Sequence, residues 1–254
     1  MRISTAKVVA AMVDPKLYPG LNPGEKLVLR LLRTIGPVKR AVTERWLFGQ
    51  RAAVDFYREG IRDFLVLGAG MPTAGHVHQL FPDARVMYVD KDEKIVRLAQ
   101  EKLAGNNRVR YIKGDLTRFH EEVLPEARKF FGEAPKLGII MVGIIYFLPD
   151  EVVREIFKAL YGWVGPGSRI VVTNTDADAI RATRGYYLRY LAFKGLYRLV
   201  GNRNYPRTDT GLRAMLLPWQ VVEKIPIFSP VPGSPDPRFA VSTGYIAVKM
   251  ESGG

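Results

Sequence analysis

From Phe64 onward the chain alternates between short apolar runs and longer segments in which apolar residues recur every three or four positions. Phe64 to Leu67, "ARVMYV", "RVRYI", "KLGIIMV" and "SRIVVTN" read as five successive strands. Between them, "DEKIVRLAQEKL" places Ile95, Leu98, Ala99 and Leu103 on one helical face, with Asp92 positioned to cap it. "PDEVVREIFKALYGWV" opens with Pro149 and acids in its first turn and breaks near Gly162, a second helix. Apolar strands separated by amphipathic helices imply a parallel sheet covered on both faces. The end of the chain differs. "QVVEKIPIFS" and "GYIAVKM" are strands joined by the Pro-rich "PVPGSPDPRF" without a helix, so an antiparallel pair closes the sheet.

The first sixty residues lack strand alternation. "PGEKLVLRLLRTIG" has Leu27, Leu31, Leu32 and Ile35 at helical spacing and stops at Gly36-Pro37. "VKRAVTERWLFGQRAAVDFYREG" predicts another helix, ended by Gly60. The expected division is a helical cap over residues 1–60 and an α/β domain over 61–254.

In an open α/β sheet, ligands sit beyond the carboxyl ends of the strands. Strand one is followed by Gly68, Ala69 and Gly70, where backbone can approach a ligand closely. Asp90 follows strand two, twenty residues past Gly70, where a carboxylate accepts from ribose hydroxyls. Asp115 follows strand three, suited to an adenine amino group or to capping the next turn. Gly143 and Tyr146 follow strand four. A dinucleotide fingerprint wants a third glycine three residues after the second; that position is Thr73, preceded by Pro72. S-adenosylmethionine has no pyrophosphate and needs no such glycine.

The chain from about Arg45 to Met250 thus resembles the class I, Rossmann-like S-adenosylmethionine-dependent methyltransferases. More narrowly, "YREGIRDFLVLGAGMPTAGHVHQ", "PDARVMYVDKD", "FLPD" and "YPRT" resemble a bacterial subfamily called simply S-adenosyl methyltransferases. Its Gly-x-Pro-Thr-x-Gly-x-Val-His loop is matched by Gly70, Pro72, Thr73, Gly75, Val77 and His78. The resemblance implies a seven-stranded, mostly parallel sheet of order 3-2-1-4-5-7-6 with strand 7 antiparallel. It implies S-adenosyl-L-methionine as cofactor, bordered by Gly68 and Gly70, with Asp90 on the ribose and Asp115 with Leu116 on the adenine; Ala69, Pro72, Thr73, Lys91 and Gly143 complete the expected cofactor-binding set. Two features depart from the family pattern: no "YDYLLGGKDN"-like segment precedes the core, and Tyr146 stands where a histidine is common. Both lie where an acceptor enters.

Tyr146 is the side chain expected nearest the transferred methyl, as orienter or weak base, with packing under the next helix as its alternative. His78 reads first as a brace for its own loop and second as a candidate general base. If a helix starts at Gly75, His76 and His78 point about 200° apart and share no ligand. "TNTDAD" offers Asn174, Asp176 and Asp178 to a cation, but strand four ends in Gly143 without a carboxylate, and Asp176 reads as a helix cap. No metal is expected. In "RGYYLRYLAFKGLYRLV", apolar residues take one broad face, with Arg189, Lys194 and Arg198 opposite, as a core helix, a lid or a surface for lipid.

The absence of cysteine excludes disulfides and thiolate chemistry, and with no membrane span or signal peptide evident the expected location is cytoplasmic. A net charge of +13 favours anionic partners: a small-molecule acceptor first, nucleic acid or an anionic membrane surface as alternatives. Aminocarboxypropyl transfer, NAD-dependent oxidation and a nucleic-acid-binding protein with a vestigial cofactor site remain open alternatives to methyl transfer. Oligomeric state is not legible.

Overall fold

The computed structural model describes residues 7–8, 11, 20–35, 38–71, 75–199, 203–230 and 240–251. Helices α1 (Pro23–Ile35) and α2 (Val38–Arg58) precede β1 (Asp63–Leu67), a one-turn α3 (Val77–Leu80) and β2 (Arg85–Asp90). Then come α4 (Glu93–Lys102), β3 (Val109–Lys113), α5 (Leu124–Phe131), β4 (Leu137–Met141), α6 (Asp150–Trp163) and β5 (Arg169–Thr175). The chain ends with α7 (Ala177–Ala182), α8 (Arg184–Leu199), α9 (Asp209–Leu216), β6 (Gln220–Phe228) and β7 (Ser242–Val248).

The strands form one sheet of order β3-β2-β1-β4-β5-β7-β6. The first five are mutually parallel, and β7 runs antiparallel between β5 and β6. The sequence-derived order and polarity therefore hold. Strands β2, β4, β5 and β7 are buried at nearly every residue, polar ones included, because helices cover both faces. Edge strand β6 alternates instead, exposes Glu223 and Lys224, and tolerates Pro226. Two helices absent from the sequence reading, α5 and α9, join α6 on one face through Ala127, Phe157 and Leu212.

The other face is covered by α4 and by α2, whose Phe48, Ala52, Ala53 and Phe56 share a core with Phe64 and Val86 of the sheet. The fit of α2 depends on glycine. A Cβ at Gly244 would meet the Phe48 ring at 2.3 Å, and one at Gly138 would meet Phe64 and Phe56 at 2.8 and 3.1 Å. Reciprocally, a Cβ on Gly49 of α2 would lie 3.0 Å from Val142.

Helix α8 departs from the sequence reading. Tyr190 is buried and Phe193 and Tyr186 pack beside it against Ala41, Ile180 and Phe228, but Leu188 is 69% and Leu191 44% exposed. Apolar residues ring this helix nearly all round, so only the stripe spaced i, i+4, i+7 can reach the core. No described helix is long and apolar enough to cross a membrane.

Placing a methyl at Gly138 forces two buried rings apart without a rotamer to relieve them. Gly138→Ala is expected to destabilise the fold by about 1–3 kcal/mol, read by denaturant unfolding. An unchanged midpoint would show that α2 is not seated in this notch.

Candidate active site

The carboxyl ends of β1, β2, β4 and β5 bring most of the sequence-predicted residues to one edge. Gly68, Gly70 and Gly143 have φ of +70°, +64° and +75°, a region L side chains rarely enter. At Gly68 the lack of a side chain also admits Ile144, which a Cβ would meet at 2.6 Å. Among the described residues nothing lies within 4 Å of a Cβ at Gly70, and above Gly143 the nearest atom to such a Cβ is the Tyr146 hydroxyl at 3.7 Å. These glycines form a cradle that a side chain would fill.

Asp90 ends β2 with its side chain turned back toward β1. One carboxylate oxygen accepts from the Gly70 amide at 2.8 Å and the other from the Asp92 amide at 2.9 Å. Burial pushes its pKa above the ordinary carboxylate value, while the two amides hold it down. Each oxygen keeps a lone pair for a further donor. Lys91 is exposed beside it, and Leu116 is buried in the core. Asp115 caps the 3-10 turn Leu116–Arg118, one oxygen accepting from the Thr117 amide and hydroxyl, while its second oxygen takes no bond among the described residues. Ala69 donates its amide to the Val89 carbonyl, as Gly68 does. Pro72 and Thr73 lie outside the described residues.

The loop on either side of that segment is braced from four directions. Tyr111 donates its hydroxyl to the Gly70 carbonyl, and the His76 Nε2 lies 2.9 Å from the Met71 carbonyl. Gln50 of α2 donates to the Gly75 carbonyl at 2.6 Å, and the Gly75 amide donates to Gln79 at 2.7 Å. The histidines differ from expectation. His76 is extended, at φ −65° and ψ 154°, and helix α3 starts after it, so the 200° divergence of a helix does not apply. Both rings converge on Tyr88, with centroids 5.3 and 5.5 Å away, and Tyr88 stacks on Tyr111. The Tyr88 oxygen accepts from the His78 amide and lies 2.8 Å from His78 Nδ1. The Tyr88 hydroxyl proton finds its partner only if Nδ1 is the acceptor, which occupies the atom His78 would use as a base. Burial lowers the pKa of both histidines, His76 to about 4.

Tyr146 sits on the 3-10 turn Ile145–Phe147 after β4, buried, its hydroxyl accepting from Arg45 Nη1 at 3.2 Å. The Arg45 guanidinium also lies 4.8 Å from the Tyr146 ring centroid. A second arginine fixes the turn itself. Arg207 is buried, pairs with Asp150 at 2.8 Å, and donates to the carbonyls of Ile145 at 2.9 Å and Leu148 at 2.6 Å. The Tyr205 amide donates to the Tyr146 carbonyl at 2.7 Å. Asp176 caps α7, accepting from the amides of Asp178 and Ala179.

Sequence reasoning missed Arg45, Gln50, Arg207 and Tyr186. Arg207 lay in the quoted "YPRT", a signal without an assigned role. Arg45 and Gln50 lie in an ordinary helical stretch, and nothing local marks them.

A seven-stranded sheet of this order, with an antiparallel β7 and a glycine-and-acid edge at β1 and β2, defines a class I, Rossmann-like methyltransferase fold. The chain belongs to the S-adenosyl methyltransferase family, whose model matches residues 24–216. It is an S-adenosylmethionine-dependent methyltransferase, which decides against NAD-dependent oxidation. A protein from Thermobifida fusca YX, named as a candidate methyltransferase, superposes with a TM-score of 0.81 at 20% identity, over 98% of this chain and 96% of that one. A DUF574 family protein from Streptomyces avermitilis MA-4680 gives 0.78 at 19% identity, over 98% of both chains. The N-methyltransferase NodS from Bradyrhizobium japonicum WM9, in complex with S-adenosyl-L-homocysteine, gives 0.50 at 14% identity, over 85% and 89%. No curated protein matches the chain by sequence.

Because His76 holds a pKa of about 4 when folded against 6.5 when exposed, the unfolded chain takes up a proton in that interval that the folded chain refuses. The stability this confers is complete above pH 6.5 and is lost as pH falls toward 4. At pH 5 the loss from His76 is roughly 2 kcal/mol. The fall in unfolding free energy from pH 7 to pH 5 should therefore be smaller by about that amount in His76→Gln than in the unsubstituted protein. Parallel pH profiles would refute the assignment of a buried neutral imidazole.

Proposed function

We propose that the protein methylates a small acceptor that enters over the carboxyl ends of β4 and β5 and the amino end of β7, with the cofactor along β1 and β2. The observation that carries this reading is the Tyr146 hydroxyl standing above Gly143, at the junction of the two regions. The residues on the cofactor side fit S-adenosylmethionine chemically. Asp90 would accept from its ribose diol, Gly68, Ala69 and Gly70 would let it approach the backbone, and Asp115 with Leu116 would meet its adenine. Pro72 and Thr73 of the same loop, Lys91 beside Asp90 and Gly143 after β4 complete the proposed shell.

When bound, S-adenosylmethionine supplies a methyl already activated on a sulfonium, so transfer needs chiefly in-line placement of the acceptor atom. Tyr146 is suited to that placement. Its oxygen already accepts from Arg45, which leaves its own proton to donate to the acceptor. This makes Tyr146 an orienting donor, with the acceptor's proton released to water. His78 acts as a loop brace in this scheme, since Tyr88 takes its Nδ1. The enclosing walls favour a small acceptor over a nucleic-acid strand: α2 supplies Arg45 on one side, and α8 supplies Tyr186, whose pKa is raised by burial and drawn back by the charge of Arg45.

Two measurements test the reading. Asp90→Ala removes two charge-assisted acceptors, each worth about 1.5–3 kcal/mol, so affinity for S-adenosylhomocysteine in calorimetry should fall about a hundredfold or more. Unchanged affinity would sink the ribose assignment. Incubation with methyl-labelled S-adenosylmethionine and a cell extract should place label in the small-molecule fraction, with a Tyr146→Phe rate reduced about ten- to a hundredfold at unaltered cofactor affinity. Label in RNA or DNA would overturn the small-acceptor reading, and methylthioadenosine as co-product would indicate aminocarboxypropyl transfer instead.

A further inference from the structure

Arg45 projects from α2 across the ends of three strands that are distant in sequence. Its Nε donates to the Ser242 hydroxyl of β7 at 2.7 Å, Nη1 to the Tyr146 hydroxyl at 3.2 Å, and Nη2 to the Thr175 hydroxyl of β5 at 3.2 Å. All three partners are neutral. Among the described residues no carboxylate lies within ion-pair distance of this guanidinium, although it is partly buried. Arg207, only a short distance along the same edge, shows the usual solution, with Asp150 and backbone carbonyls taking its donors. The nearest carboxylate in sequence to Thr175 is Asp176, whose Oδ1 caps α7 and which forms no ion pair with Arg45 among the described residues.

The donor balance at Arg45 is one-sided. A guanidinium has five N–H groups, and three are used here. The hydroxyls that accept from it keep their own protons. Ser242 and Thr175 are buried, so neither proton is met by bulk water. The cluster thus presents an excess of donors and one uncompensated positive charge, on the acceptor side of the edge and away from Asp90.

We propose that Arg45, with the hydroxyls of Thr175 and Ser242, is a carboxylate-binding subsite that anchors the methyl acceptor and leaves the Tyr146 proton to the atom that is methylated. The proposal rests on the methyltransferase reading above and adds the chemical class of the substrate: a small molecule carrying a carboxylate besides the oxygen or nitrogen that is methylated. A carboxylate matches the site in charge and shape. The site sets one guanidinium among neutral hydroxyls, so a monoanion balances its charge where a phosphate dianion exceeds it. The N–H groups left on Nη1 and Nη2 suit the paired oxygens of a planar carboxylate. With the carboxylate held there, the other end of the acceptor lies toward Tyr146 and Gly143.

The test is calorimetric titration of the full chain with benzoate and with benzamide, its neutral counterpart, with and without saturating S-adenosylhomocysteine. Saturable benzoate binding is expected, at least tenfold tighter than benzamide. Arg45→Gln should reduce benzoate binding at least tenfold and leave S-adenosylhomocysteine affinity within about twofold. Thr175→Val, which keeps the shape of the strand, should weaken benzoate severalfold and serves if Arg45→Gln does not fold. Absence of benzoate binding, equal binding of the amide, tighter binding of inorganic phosphate, or benzoate binding unaltered in both variants overturns the subsite. A tenfold loss of S-adenosylhomocysteine affinity in Arg45→Gln also overturns it, since Arg45 would then hold the cofactor's own carboxylate. Failure of the unsubstituted protein to bind S-adenosylhomocysteine, with benzoate binding intact, strikes the cofactor-side reading and leaves the anion site standing.

Discussion

The close seating of helix α2 on the sheet governs the rest of the molecule. Phe48 drops into the space left by Gly244, Phe56 into that left by Gly138, and Gly49 lets the helix backbone come down on Val142. Close-packed interiors leave no room to slide, so these notches fix the helix in both position and rotation. Two polar residues of the same helix are thereby aimed. Arg45 reaches over the ends of β4, β5 and β7, and Gln50 reaches the loop after β1. One packing event closes a face of the sheet and furnishes both sides of the site.

The loop after β1 shows a second constraint. In the proposed reading its backbone stays open to a cofactor, which forbids filling it with side chains, yet an unbraced glycine-rich loop would be loose. Asp90, Tyr111, His76, Gln50 and Gln79 resolve this by bonding the backbone groups of Gly70, Met71 and Gly75 from outside. The buried, neutral imidazole of His76 belongs to that bracing. Beyond β4, Arg207 plays the corresponding part for the turn that carries Tyr146. Both loops are held by side chains from elsewhere, which is what a site on flexible backbone needs if its geometry is to be set before the substrate arrives.

The strand pattern, the antiparallel end and the acid after β2 were legible in the sequence because each rests on local periodicity or a fixed offset from a strand end. Asp176 and Asp92 could be read as caps for the same reason, since a cap and its amides are two or three residues apart. Helices α5 and α9 escaped, being eight residues each and set among turns where a few apolar positions give a weak period. The histidines were misjudged in direction because the rule applied to them requires a helix, and His76 precedes the helix.

The sequence by itself determined the architecture, the family and the residues at strand ends, since alternation of apolar strands and amphipathic helices leaves few topologies and strand ends define the binding edge. The tertiary structure alone decided which distant side chains meet there. Arg45 lies in the middle of a helix, 101 residues from Tyr146 and 197 from Ser242, and no local pattern distinguishes it from the chain's other basic residues. Its proposed role rests on partial burial and on the absence of an ion-pair partner among the described residues, and both are properties of packed neighbours.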